Sequence, residues 1–225
     1  MHGTKCSATP REVGAIKLYS FQPSPNTRRV RIFAAEKGIA IEMIEVNVVA
    51  GENLAAPYQA INPRGLVPTL ELDNGTFLDE SVAICRYLES LSTEPNLLGK
   101  SDQEIAQIES AQRHVEFDGL LPLVDAFRNR FPGFSQRGVA GYPAHFPAIP
   151  ELADRGRQQY RIFQERLEVR LAAHEFVAGD KFTIADITAL CAVGLGKSLD
   201  LDLRKELKES IRWYESVSSR ASAGA

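Results

Sequence analysis

Three segments in the first third of the chain carry side chains whose types and spacing suit chemistry on a small ligand. Ser24-Pro25-Asn26-Thr27 opens a helical pattern that continues through Arg28-Arg29-Val30-Arg31. A helix N-terminus presents free N–H groups and a partial positive charge, so a thiolate placed there is stabilised and its pKa falls. In Asn62-Pro63-Arg64-Gly65-Leu66-Val67-Pro68-Thr69-Leu70, a proline opens a strand after an apolar residue, a place where a cis peptide often sits. That geometry turns the N–H and C=O of Val67 outward, where a peptide-like ligand can add as an extra strand. In Gly75-Thr76-Phe77-Leu78-Asp79-Glu80-Ser81, the Ser81 N–H and hydroxyl suit a carboxylate while Glu80 accepts from an ammonium, a pair matched to an α-amino acid head. Each segment also has a plainer reading: a simple N-cap, an ordinary turn and an acidic first turn, respectively. A fourth segment, Gly179-Asp180-Lys181-Phe182-Thr183-Ile184-Ala185-Asp186, reads as structural, with Thr183 and Asp186 at capping-box spacing.

The elements that must position these residues change character near residue 95. Before it, Ile16 to Tyr19 and Ile41 to Val46 read as strands flanking a helix from Asn26 to Lys37 that Gly38 stops. Thr69 to Leu72 and Thr76 to Leu78 form a hairpin around Asp73-Asn74-Gly75, followed by a helix from Ser81 to Ser92. A β-α-β unit followed by β-β-α gives a small mixed sheet, the plan of a thioredoxin-like domain. Beyond the linker Thr93-Glu94-Pro95-Asn96 the periodicity is helical. It covers Asp102 to Asn129 with a kink expected at Pro122, then Glu151 to Ala173, Ile184 to Val193 and Leu203 to Val217. The fold class expected is an α/β thioredoxin-like domain (15–93) followed by an all-α helical-bundle domain (101–225), with residues 1–14 a disordered extension. Phe131 to Pro150 is a proline-, glycine- and aromatic-rich loop, long enough to suggest a covering role.

Composition excludes several classes. Lys and Arg total 26 against 29 Asp and Glu, so no basic excess points to nucleic acid. No apolar run reaches the ~20 residues of a membrane helix, and Met1 to Gly14 lacks the apolar stretch of a secretory signal. Cys6, Cys85 and Cys191 are odd in number and scattered, without metal-ligand spacing, as expected of free thiols in a reducing, cytoplasmic compartment.

Taken in order, Ser-Pro-Asn-x-x-Arg-Val-Arg, Asn-Pro-x-Gly-x-Val-Pro-x-Leu, Leu-x-Glu-Ser-x-Ala-Ile and Gly-Asp-x-Phe-Thr-x-Ala-Asp resemble the cytosolic glutathione S-transferases, over roughly Lys17 to Tyr214. The resemblance is to the serine-type, theta- and zeta-like members of a bacterial and fungal branch. It implies that Glu80 and Ser81 hold the γ-glutamyl end of glutathione, and that Val67, before a cis Pro68, pairs with the cysteinyl backbone. Asn53, where many relatives carry histidine, would reach the glycyl end. Ser24 would donate to the sulfur, with Asn26 or a water as the alternative. Phe21, His114, Phe117 and Phe131 would contact a second, hydrophobic electrophile. Glutathione is then a co-substrate, no metal is needed, and a homodimer is expected through the helices at Ser81 to Ser92 and Asp102 to Asn129. Two rival readings keep the fold: a non-catalytic ligand- or protein-binding module, and a glutathione-dependent disulfide reductase or peroxidase.

Overall fold

The computed structural model describes residues 16–142 and 146–225; the extension expected over residues 1–14 lies outside them. β1 (Lys17–Ser20), α1 (Pro25–Glu36) and β2 (Glu42–Glu45) form the first unit, with β1 and β2 parallel. After the short helix α2 (Ala56–Gln59), β3 (Thr69–Glu71) pairs antiparallel with β1 and β4 (Phe77–Leu78) antiparallel with β3. The sheet order is β2-β1-β3-β4. α3 (Ser81–Leu91) and α1 pack on it through Leu18, Leu70, Val30, Phe33, Ile84 and Leu88. Gly75, at φ 79°, makes the turn between β3 and β4, and Gly38, at φ 65°, lets the chain leave α1; both are backbone angles a Cβ disfavours.

The second half is helical: α4 (Asp102–His114), α5 (Leu121–Arg128), α6 (Pro150–Ala173), α7 (Ile184–Lys197) and α8 (Lys208–Ser218). The fold is thus the thioredoxin-like sheet and helices followed by an all-helical unit. The kink expected at Pro122 takes the form of a π-helical stretch, Val115–Leu120, directly before α5. Proline lacks an N–H and its ring crowds the carbonyl four residues back, so the turn that precedes it widens.

α7 runs through the centre of the helical unit and is buried along most of its length. Its N-terminus is closed by the capping box: Asp186 accepts from the Thr183 N–H (2.9 Å) and the Thr183 hydroxyl accepts from the Ala185 N–H (3.3 Å). Asp186 accepts further from the Val177 N–H (2.8 Å) and the Trp213 indole (2.9 Å), tying α7 to α8.

Gly156 on α6 is what lets α5 lie close. A Cβ there would run into the Pro122 carbonyl oxygen and approach the Ala126 nitrogen to 3.3 Å. Backbone cannot step aside as a side chain can, so Gly156→Ala is expected to destabilise the fold by about 2 kcal/mol, outweighing the gain in helix propensity. Thermal unfolding followed by circular dichroism checks it; an unchanged or higher midpoint would show that α5 and α6 tolerate separation.

Candidate active site

The chain from β1 into α1 turns at Phe21 to Ser24. The Ser24 N–H donates to the Phe21 carbonyl (2.8 Å) and the Thr27 hydroxyl donates to the same oxygen (2.7 Å). Ser24 occupies the N-cap position, yet its hydroxyl caps nothing. Neither it nor the Asn26 side chain makes a hydrogen bond among the described residues, and both line a cavity of about 600 Å³.

The opposite wall of that cavity is the segment Gly65-Leu66-Val67. The Leu66 carbonyl accepts from the Tyr58 hydroxyl (2.6 Å) and the Asn62 amide (3.0 Å), and both of these side chains also reach Thr69. Burial pushes the Tyr58 phenol up to about 12, so it stays a donor at neutral pH. The Val67–Pro68 peptide bond is cis, and the Val67 N–H and C=O find no partner among the described residues. Asn53, buried, donates from its amide to the Gly65 carbonyl (2.7 Å) and lines the cavity; its Oδ1 is buried without a partner.

Glu80 and Ser81 are not among the residues that line this cavity. Glu80 precedes α3 at φ 63°, a left-handed conformation that costs a non-glycine residue about 1–2 kcal/mol. Arg64 pairs with its carboxylate and, at 3.2 Å, with Asp79. The Ser81 hydroxyl is buried and accepts from Arg29 Nη1 (2.6 Å), whose guanidinium also meets Glu116 (3.2 Å).

The remaining lining is apolar on one side and cationic on the other. Phe21, Val124, Phe127, Phe134 and Leu195 supply the apolar surface. Arg28, Arg31 and Arg128 supply three guanidinium groups, and no Asp or Glu side chain among the described residues lines the cavity. Burial draws Arg128 down to about 10, the nearby Arg137 adding to the effect, and burial followed by the charge of Arg28 lowers Arg31. Arg128 stacks on the Phe134 ring at 4.3 Å and donates to the Arg137 carbonyl (2.8 Å). Arg137 in turn donates to the carbonyls of Val48 (3.3 Å), Val49 (2.7 Å) and Gly133 (3.1 Å), joining the loop after α5 to the β2 side. Ala223, Gly224 and Ala225 close the cavity, brought there by a two-pronged ion pair of Arg220 with Glu36 (2.8 and 2.7 Å).

The structure therefore brings Ser24, Asn26, Phe21, Asn53 and Val67 around one cavity, whereas Pro68, Glu80 and Ser81 are not among its lining residues. His114, Phe117 and Phe131, expected to contact a second substrate, are not among the residues lining it. His114 lines a separate cavity between α4 and α6, with Asp118, Phe163 and His174. Phe117 is 57% exposed with Arg113 over its ring, and Phe131 is set back, stacked on Phe127 at 5.1 Å. The π-helical stretch explains Phe117: its extra residue shifts the helical phase, so counting back from Val124 lands on Glu116, which meets Arg29, and turns Phe117 outward. Phe127 and Arg128, which the family resemblance also pointed to, lie three and four positions after Val124 and line the cavity with it.

Comparison with known proteins agrees with this architecture. A family model described as "Glutathione S-transferase, N-terminal domain" matches residues 18–96, and one described as "Glutathione S-transferase, C-terminal domain" matches residues 140–221. Glutathione S-transferase F10 of Arabidopsis thaliana is 30% identical over 203 residues, covering 87% of this chain and 89% of that protein. The crystal structure of Gtt2 from Saccharomyces cerevisiae superimposes with a TM-score of 0.84 at 28% identity, covering 92% of this chain and 98% of that one. A glutathione S-transferase domain-containing protein from Marinobacter aquaeolei VT8 superimposes with a TM-score of 0.80 at 32% identity, covering 92% and 98%. With both family models matched and its sheet and helical unit superimposing on those structures, the chain belongs to the glutathione S-transferase family.

Proposed function

We propose that the protein conjugates the thiol of glutathione to a small electrophile, and that Ser24 lowers the pKa of that thiol. The observation that carries this reading is the uncommitted Ser24 hydroxyl at the N-terminus of α1, facing the same cavity as the unpaired backbone of Val67. In this arrangement the cysteinyl residue of glutathione pairs with Val67 and its γ-glutamyl carboxylate reaches Ser81, with Glu80 taking the ammonium. At the glycyl end, the orphaned Asn53 Oδ1 accepts from an amide N–H and Arg128 meets the carboxylate.

The hydroxyl of Ser24 and the amide of Asn26 then donate to the thiolate, and the thiol proton leaves to solvent. The sulfur forms a C–S bond with the electrophilic carbon, whose apolar part lies against Phe21, Phe127 and Phe134. In a substitution the halide departs with its bonding pair; in an addition to an activated alkene the neighbouring carbon takes a proton from water. Conjugation is preferred over disulfide reduction because the residue at the start of α1 is Ser24 rather than a cysteine, while the thiol of Cys191, which lines the cavity, is raised by burial above its ordinary range. No helix among the described residues is long and apolar enough to cross a membrane, which accords with a cytoplasmic enzyme. Exposed Ile105, Phe117 and Leu121, on and after α4, support a homodimer through this side.

Titrating the ultraviolet thiolate absorbance of glutathione bound to the purified protein tests the mechanism. A bound pKa at least about one unit below the ~8.5 of an ordinary cysteine thiol is expected. Ser24→Ala is expected to return it toward the free value and to cut the thiolate fraction at neutral pH about tenfold. Asn26→Ala, run in parallel, shows which of the two donors dominates. An unshifted pKa in the unaltered protein would sink thiol activation and favour a non-catalytic binding module.

A further inference from the structure

Ser24, Arg28 and Arg31 lie four and then three positions apart, so α1 carries the thiol-activating position and two cations on one face. That face is turned to α7. Arg28 is seated there from two directions: Nη2 donates to the Ala223 carbonyl (3.1 Å), and Nη1 lies where a Cβ on Gly194 would approach it to 2.6 Å. The space for this guanidinium thus depends on α7 having glycine at 194. Arg31 donates to the Gln22 carbonyl (3.1 Å), while its Nε is buried without a partner.

Neither guanidinium has a carboxylate partner among the described residues, whereas Arg29, Arg113 and Arg166 are all paired. The acidic side chain nearest in chemistry, Glu45, is exposed and accepts from the Gln22 N–H (3.3 Å). Two like charges one helical turn apart repel, and partial burial adds a desolvation cost. Such a pair is expected where an anion compensates it. Glutathione does not claim these two residues, since its carboxylates are assigned to Ser81 and Arg128. Leu195 and Phe127, which line the same cavity, offer apolar surface that suits a carbon skeleton.

Resting on the transferase reading above, we propose that the second substrate is an electrophilic carboxylic acid, its carboxylate held by Arg28 and Arg31 and its carbon skeleton by the Leu195 and Phe127 wall. The site then selects acidic electrophiles over neutral ones of the same shape.

Calorimetric titration with four conjugates tests this: S-benzylglutathione, its 3-carboxy and 4-carboxy derivatives, and the 4-carbamoyl analogue, which has the shape of the acid without its charge. At least one acid is expected to bind about tenfold tighter than both uncharged conjugates, equivalent to about 1.4 kcal/mol. The ratio should shrink as salt is raised, since a charge-based preference is screened. It should fall to about one in the Arg28→Gln/Arg31→Gln double variant and return in Arg28→Lys/Arg31→Lys. Equal affinities in the unaltered protein, or a preference indifferent to salt, would overturn the proposal while leaving glutathione binding intact, with no need of a variant that folds. Failure of all four conjugates to bind would overturn the transferase reading itself, and this proposal with it.

Discussion

Asp186→Ala is expected to lower stability by about 4 kcal/mol, and the unfolding midpoint of a chain this size by about 10 °C. The carboxylate is fully buried and accepts from the Val177 and Thr183 N–H groups, the Thr183 hydroxyl and the Trp213 indole. Alanine leaves these donors without an acceptor, in a region where water cannot replace it. The loss is also predicted to depend on pH. Burial pushes Asp186 up to about 6, against the hydrogen bonds that favour its ionised form. Its folded pKa lies above the ~3.9 of an unfolded aspartate, so its contribution is greatest when protonated and declines as pH rises through about 4 to 6. Between pH 7 and pH 5 the gap between the two proteins should therefore widen by about 1 kcal/mol. Denaturant titrations at both values measure it; a gap that narrows on acidification would show that the donors, rather than burial, set this pKa.

Arg29→Met is expected to raise the KM for glutathione by about 30-fold, the worth of a ~2 kcal/mol hydrogen bond to a charged group. Arg29 is 1% exposed and acts as a positioning residue: its Nη1 holds the Ser81 hydroxyl oxygen, leaving the hydroxyl proton aimed outward for a ligand carboxylate. Without it the hydroxyl rotates freely and the γ-glutamyl end loses a fixed donor. Stability should change little, because Nε and Nη2 are buried without partners and Glu116 keeps its pairing with Arg113 at 2.7 Å. The KM for the second substrate should stay as it is. A parallel rise in both KM values, or a large drop in unfolding midpoint, would make Arg29 a scaffold residue and nothing more.

Much of the frame was legible from local sequence. Asn74-Gly75 specified the β3–β4 turn, Gly38 the exit from α1, and Thr183 with Asp186 the start of α7, each through backbone geometry that few other residues supply. Ser24 and Val67 stand at junctions with their own local signatures, whereas Asn53 was implied only by the family resemblance. So were the contacts of His114, Phe117 and Phe131 with a second substrate. These three do not line the cavity, and the widened turn before Pro122 turns Phe117 outward. The contacts of Arg28 with Gly194 and Ala223 join residues far apart in the chain, and no window of sequence reports such a meeting. Short-range rules place the ends of elements; the walls between elements depend on how helices pack.

The bonds by which Arg137 joins the loop after α5 to the β2 side have a consequence for how the protein meets different ionic conditions. The partners of Arg137 are neutral carbonyl oxygens, those of Val48, Val49 and Gly133, rather than carboxylates. Dissolved salt weakens attraction between exposed opposite charges, such as Arg64 with Glu80, far more than a short hydrogen bond to a peptide group. The anchoring of this loop is therefore expected to hold across ionic strengths while capture of charged ligands varies, so loop position and electrostatic reach rest on separate residues.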